Sequence, residues 1–89
     1  SLILEEFPSE HRKIADLFCG RGTFSLPLSK QGKIDAYEMD GKALKALAQA
    51  AKIQKLPIQT YARNLFSDPV RTEQIESYQS VILNPPRQG

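Results

Sequence analysis

The sequence predicts an α/β fold: a parallel sheet of four strands in the order 3-2-1-4 with helices on both faces. Three observations lead there. Short apolar runs alternate with stretches of helical periodicity along the whole chain, the pattern of βαβ units. A glycine turn, Gly20-Arg21-Gly22, follows the first apolar run directly and opens into a helical stretch, as happens where a strand delivers backbone N–H groups to a ligand. The residues with chemistry to offer, Asp16 to Gly22, Glu38, Asn64 and Asn84, gather at or just after the ends of apolar runs, and ligands of such sheets bind outside the carboxyl ends of the strands. Right-handed crossovers make the sheet parallel, and a central first strand makes it Rossmann-like and doubly wound, here in part only.

Residues 1–12 read as an approach segment, in which Phe7-Pro8 breaks any regular structure begun by Leu2-Ile3-Leu4. His11, beside Arg12 and Lys13, reads as a solvated loop residue rather than a base. The first strand spans Lys13 to Phe18, continuous enough in apolar character to be buried on both faces. A first helix is expected over Thr23 to Lys30, with Pro27 tolerated near its start and Gly32 as its C′ residue. Lys33 to Met39 forms the second strand.

The clearest helix is Lys42 to Lys55. Leu44, Leu47, Ala48 and Ala51 recur at i, i+3, i+4 and i+7, with Lys42, Lys45, Gln49 and Lys52 on the opposite, solvated face. Asp40 suits its N-cap, accepting from the N–H of Lys42 or Ala43. Ile58 to Ala62 is the third strand, a weaker helix runs from Asp68 or Pro69 to about Ser77, and Gln79 to Leu83 is the fourth strand.

The 89 residues make one partial domain, residues 1–89, and a chain this short buries only roughly 60 to 65% of its unfolded surface. With 40% hydrophobic and 25% charged residues, disordered and collagen-like classes are excluded. No apolar run approaches the roughly 18 residues of a membrane span, and no signal-peptide pattern opens the chain, so the expected setting is cytoplasmic, with no membrane partner. A formal charge of +2 neither announces nor excludes a nucleic acid. The single cysteine, Cys19, rules out an internal disulfide and a cysteine-rich zinc site, and no metal is expected. Inside the glycine turn it reads as a small apolar filler, the alternative being a reactive thiol.

Glu38 ends the second strand 16 residues beyond Gly22. A carboxylate there can accept from both hydroxyls of a ribose lying across the turn and would repel a 2′-phosphate; the plainer alternative is an ion pair with a lysine. A dinucleotide site asks for a third glycine where this chain has Ser25. A nucleoside without a pyrophosphate, such as S-adenosylmethionine, fits the turn better than NAD, with its amino-acid end along the glycines and its adenine near Met39 and Leu65. Asn84, ahead of Pro85-Pro86, can present an amide toward the reactive end of such a ligand, and Arg87 offers a planar donor fork.

The run Asp16-Leu17-Phe18-Cys19-Gly20-Arg21-Gly22-Thr23-Phe24, with Glu38-Met39-Asp40 and Asn84-Pro85-Pro86-Arg87-Gln88-Gly89, resembles the class I S-adenosylmethionine-dependent RNA methyltransferases that make 5-methyluridine. The resemblance covers nearly all of the chain from Lys13 onward. It implies S-adenosylmethionine as cofactor, contacted by Phe18, Gly20, Gly22, Thr23, Glu38, Asn64 and Asn84, and methyl transfer to C5 of a uridine in tRNA or rRNA. It leaves Asn84 and Arg87 as candidate substrate-side residues and places the catalytic cysteine and glutamate beyond this chain, which by itself is expected to be inactive. The chain departs from the family with Thr23 in place of Asn, and with Asn64 and Asn84 in place of Asp. Two other readings stay open: methylation of a nitrogen through Asn-Pro-Pro, and an NAD-binding domain. A fourth strand left as a raw edge also predicts dimerisation.

Overall fold

The computed structural model of the chain describes residues 12–83. Four parallel strands, β1 (Lys13–Leu17), β2 (Lys33–Glu38), β3 (Ile58–Ala62) and β4 (Ser80–Leu83), form one sheet in the order β3-β2-β1-β4. Three helices connect them: α1 (Ser25–Leu28), α2 (Gly41–Gln54) and α3 (Thr72–Glu76). The predicted order and parallel sense are the observed ones. Register pairs Ile14 with Ile34 and Ser80, and Ile34 with Ile58.

Because side chains alternate across a strand, the sheet divides its core in two. On one face Ile14, Ile34 and Ala36 meet Cys19 and the Leu44 and Leu47 stripe of α2, with Leu26 and Leu28 of α1 packed against them. On the other, Ala15, Leu17 and Tyr37 are covered by Leu65 and Val70 of the β3–α3 connection and by Tyr78. α3 has no buried residue.

Asp40 caps α2 as expected, its Oδ1 accepting from the N–H groups of Lys42 and Ala43 at 3.0 and 3.3 Å. Lys55 closes the helix with a left-handed backbone, φ 56°. The buried stripe is Ala43, Leu44, Leu47 and Ala51, so Ala43 takes the place expected for Ala48.

The first helix is far shorter than the predicted Thr23 to Lys30. Gly20 and Gly22 hold positive φ, and the residues from Gly20 to Phe24 are spent in turns; Pro27 then follows within three residues of the helix start. Gly32 is not the left-handed residue that ends it. Its role is close approach, since a Cβ there would lie 2.6 Å from Arg12 Cβ and 2.9 Å from Arg12 O. The weaker helix starts at Thr72 rather than at Pro69, where the N–H of Arg71 donates to Gln74 Oε1 at 3.1 Å. β1 ends at Leu17, β2 at Glu38, and β4 begins at Ser80, each one residue inside its predicted limits. No helix among the described residues is long and apolar enough to cross a membrane.

Candidate functional site

The order β3-β2-β1-β4 brings the carboxyl ends of β1 and β2 side by side, and with them the glycine turn and Glu38. The turn is built by backbone conformation: Phe18, Gly20 and Gly22 have φ of 63°, 57° and 93°. For Phe18, a residue with a side chain, this conformation costs on the order of 1–3 kcal/mol and marks a site held in place by its surroundings. Those surroundings are hydrogen bonds from Cys19 N–H to Tyr37 O at 3.0 Å and from Gly22 N–H to Cys19 O at 2.9 Å.

The two glycines serve different ends. A Cβ on Gly20 would meet nothing within 4 Å, so the space above it is open to a ligand. A Cβ on Gly22 would lie 2.5 Å from Leu47 Cδ1 and 3.3 Å from Leu26 Cγ. Gly22 is therefore required by the packing of α2 on the turn, whereas the sequence reading assigned both glycines to ligand approach.

Glu38 is fixed at the centre of this end. Gly20 N–H donates to its Oε1 at 2.8 Å, and the N–H groups of Met39 and Asp40 donate to its Oε2 at 3.0 and 2.9 Å. A carboxylate offers about four acceptor positions; three are engaged, and the one left is on Oε1, beside the glycine turn. The lysine pairing considered for Glu38 is not found: the ion pair among the described residues joins Arg63 to Asp68 at 3.1 Å.

Beneath the turn lies a pair that the sequence reading did not assign to the site. Asp16 is fully buried, and Ser25 Oγ donates to its Oδ2 at 2.5 Å. Burial pushes the Asp16 carboxyl above its ordinary pKa; the Ser25 hydrogen bond draws it back and the Glu38 charge raises it further. Its Oδ1 is buried without a hydrogen-bond partner among the described residues, an acceptor whose burial costs about 1–3 kcal/mol. Ser25 stands where a dinucleotide site has its third glycine, so one hydroxyl both fills that place and fixes Asp16. The conformation of the turn between them, with positive φ at Phe18, Gly20 and Gly22, brings residues 16 and 25 together, which is why sequence spacing gave no signal for the pair.

The apolar side of the site differs from expectation in one residue. Met39 is 59% exposed and available, but Leu65 is buried in the second core. Phe66 takes its place, 60% exposed, with its ring 5.1 Å from that of Phe18. Asn64 lies in the loop after β3, where its Oδ1 accepts from the N–H groups of Phe66 and Ser67 at 3.0 and 3.3 Å. That carboxamide oxygen shapes the loop carrying Phe66. Thr23 is exposed on the turn. Asn84 and Arg87 lie outside the described residues.

Cys19 is the filler, not a nucleophile: it is buried, and burial with the charges of Asp16 and Glu38 pushes its thiol up to about 12. No group of three metal-ligating side chains occurs among the described residues. A hollow of about 270 Å³ does exist at the opposite, amino end of the sheet, lined by Lys13, Lys33, Asp35 and Leu56 to Gln59. It has none of the strained backbone found at the carboxyl end, and its carboxylate, Asp35, already accepts from the Tyr78 hydroxyl at 2.7 Å, so the site is placed at the carboxyl end.

This geometry has known counterparts. An uncharacterised RNA methyltransferase of Agrobacterium fabrum is 46% identical over 80 residues, covering 88% of this chain and 19% of the relative. One of Brucella melitensis is 40% identical over the same shares. Among solved structures, the Pyrococcus abyssi tRNA (uracil-54, C5)-methyltransferase in complex with S-adenosyl-L-homocysteine superposes with a TM-score of 0.70 at 22% identity, over 89% of this chain and 19% of that one. An rRNA methylase from Streptococcus thermophilus gives 0.60 at 17% identity, over 68% and 38%. The chain thus spans about a fifth of the length of the curated relatives it matches. The methyltransferase small domain model matches residues 1–89, and with a four-stranded parallel sheet, a strained glycine turn and an acid fixed at the end of β2 beneath that match, the chain belongs to the methyltransferase small domain family.

Proposed function

We propose that this chain is the S-adenosylmethionine-binding part of an RNA methyltransferase whose whole protein transfers a methyl group to C5 of a uridine in tRNA or rRNA. The observation that carries the cofactor reading is Glu38: three backbone N–H groups hold its carboxylate beside Gly20 and leave one acceptor position on Oε1. A ribose hydroxyl donating there meets an acceptor already oriented, and charge-assisted bonds of this kind contribute about 1.5–3 kcal/mol each. A second hydroxyl would compete with Gly20 N–H for the same oxygen.

The rest of the pocket suits the same molecule. The open space above Gly20 admits the amino-acid portion, and the buried, unpartnered Asp16 Oδ1 is an acceptor on the floor of the turn. Met39 and the Phe18–Phe66 pair present apolar surface for a purine ring. When bound, S-adenosylmethionine supplies an electrophilic methyl group; the residues of this chain bind and orient it. Uridine C5 as the acceptor is supported by the Asp16-to-Phe24 and Asn84-to-Gly89 motifs and by the likeness to the archaeal tRNA enzyme. The target nucleotide would be flipped out of its stack to reach the methyl group.

Isothermal titration with S-adenosylhomocysteine tests this. Saturable binding is expected, weakened at least about tenfold by Glu38→Ala, the loss of roughly one charge-assisted bond, with no binding of NAD. Equal affinity of Glu38→Ala and the parent would remove the ribose assignment. β4 is an edge of the described sheet and ends in exposed Leu83; an isolated chain is expected to self-associate along it, and a concentration-independent monomer in sedimentation would refute that.

A further inference from the structure

From Gly41 to Ser67 the chain contains no acidic residue, although acids make up 10 of its 89 residues. The same stretch carries Lys42, Lys45, Lys52, Lys55 and Arg63. Arg63 is paired with Asp68. The four lysines are exposed, and no ion pair or side-chain hydrogen bond engages them among the described residues.

Their placement is not that of an ordinary solvated helix face, where both signs are interspersed. At about 100° per residue, Lys42, Lys45 and Lys52 fall within an arc of about 80°, opposite the buried Ala43, Leu44, Leu47 and Ala51. Lys42 and Lys45 stand three apart on α2, so these neighbours repel rather than compensate, and Lys55 adds a further positive charge at the left-handed C-cap. The positions at which a glutamate would offset them hold Gly41, Ala46, Ala48 and Gln49. Lys52 and Lys55 sit at the carboxyl end of α2, where a cation suits the helix dipole. Lys42 is in the first turn, where the dipole disfavours it, and α2 has no acid in that turn.

The helix's own stability therefore does not account for the stripe, and a polyanion does. α2 is capped by Asp40, whose N–H is bound to Glu38, so Lys42 lies near the rim of the proposed cofactor site and the stripe leads away from it. We infer that the lysine face of α2 is an RNA-backbone track that engages phosphates flanking the nucleotide presented to the site. This rests on the RNA reading above. Contacts of this kind position the nucleic acid without reading its bases.

The test measures binding of a fluorescein-labelled RNA hairpin to the full chain by anisotropy across a range of salt, for the parent, a variant with Lys42, Lys45, Lys52 and Lys55 all changed to Gln, and one with all four changed to Arg. Each lysine that meets a phosphate contributes about 0.7 to the slope of log K against log salt on single strands. The Gln variant is expected to lose at least about tenfold in affinity and up to about 3 in slope, and the Arg variant to retain both. S-adenosylhomocysteine affinity, measured alongside, is expected to stay unchanged in both variants and shows that they are folded. RNA affinity and slope equal in the Gln variant and the parent would overturn the inference, as would a parent that binds S-adenosylhomocysteine but not the hairpin. A parent that binds the hairpin through these lysines without binding S-adenosylhomocysteine would uphold the track and overturn the cofactor reading.

Discussion

Replacing Gly22 by alanine should destabilise the fold far more than replacing Gly20, although both glycines have positive φ in the same turn. At Gly20, φ 57° with nothing within 4 Å of the new Cβ, the cost is conformational alone, about 1–2 kcal/mol. At Gly22, φ 93°, the same strain is joined by a Cβ placed 2.5 Å from Leu47 Cδ1 and 3.3 Å from Leu26 Cγ. Leu47 is fully buried at the centre of the first core, so it has little room to give, and overpacking adds about 1–3 kcal/mol. The total is about 3 kcal/mol. At roughly 0.05–0.15 kcal/mol per residue, the whole domain holds about 4–13 kcal/mol, so this one methyl group removes a large share of it. Urea unfolding followed by far-UV circular dichroism should show Gly22→Ala with a clearly lower midpoint and unchanged slope. In a thermal scan the loss is about 12–24 °C, against about 6–12 °C for the roughly 1.5 kcal/mol of Gly20→Ala. Equal losses for the two variants would refute the packing argument and return Gly22 to the ligand.

Two further expectations concern the buried groups of the turn. Asp16→Asn removes a charge that burial disfavours. A carboxyl whose folded pKa is raised loses stability as pH climbs above its unfolded value, so the variant's advantage should be present at neutral pH and vanish below pH about 4, where the carboxyl is protonated folded or unfolded; unfolding at both pH values measures it, and S-adenosylhomocysteine affinity should fall in the same variant. Cys19, with its thiol pushed up to about 12, should resist iodoacetamide in the native state. Relative to Cys19→Ala, the parent should lose about 1.4 kcal/mol of stability per pH unit above the ordinary thiol value of 9.0, and nothing below it.

The layers of the fold were readable because each rests on local pattern. The 3.6-residue recurrence of Leu44, Leu47 and Ala51 marks α2, Asp40 marks its start, and the crossover rule orders the strands. Boundaries failed where chain conformation overrode pattern: the turns through Phe24 took the first two residues of the predicted first helix, and Ser29 and Lys30 turn away at its end. The position of Glu38 was legible because it follows from the end of the second apolar run. Its partners Gly20, Met39 and Asp40 were not, since a bond from residue 20 to residue 38 depends on the register of β1 and β2. Asp16 with Ser25 depends on the path of the turn from Phe18 to Phe24, and the exchange of Leu65 by Phe66 turns on which of two adjacent apolar residues faces inward.

Tyr78 shows the same limit most clearly, and it has a use of its own. Its hydroxyl donates to Asp35 Oδ2 at 2.7 Å and accordingly accepts from Tyr37, 2.9 Å away, while Tyr61 stacks on Tyr37 with ring centroids 5.0 Å apart. The chain has three tyrosines and no tryptophan, so all of its tyrosine fluorescence arises from this one cluster on the α3 side of the sheet. Emission will therefore follow the seating of the segment entering β4 against β2 and β3. Phe18, Phe66 and Met39 at the candidate site add nothing at tyrosine excitation wavelengths, and a nucleoside arriving there can be followed through its own absorbance.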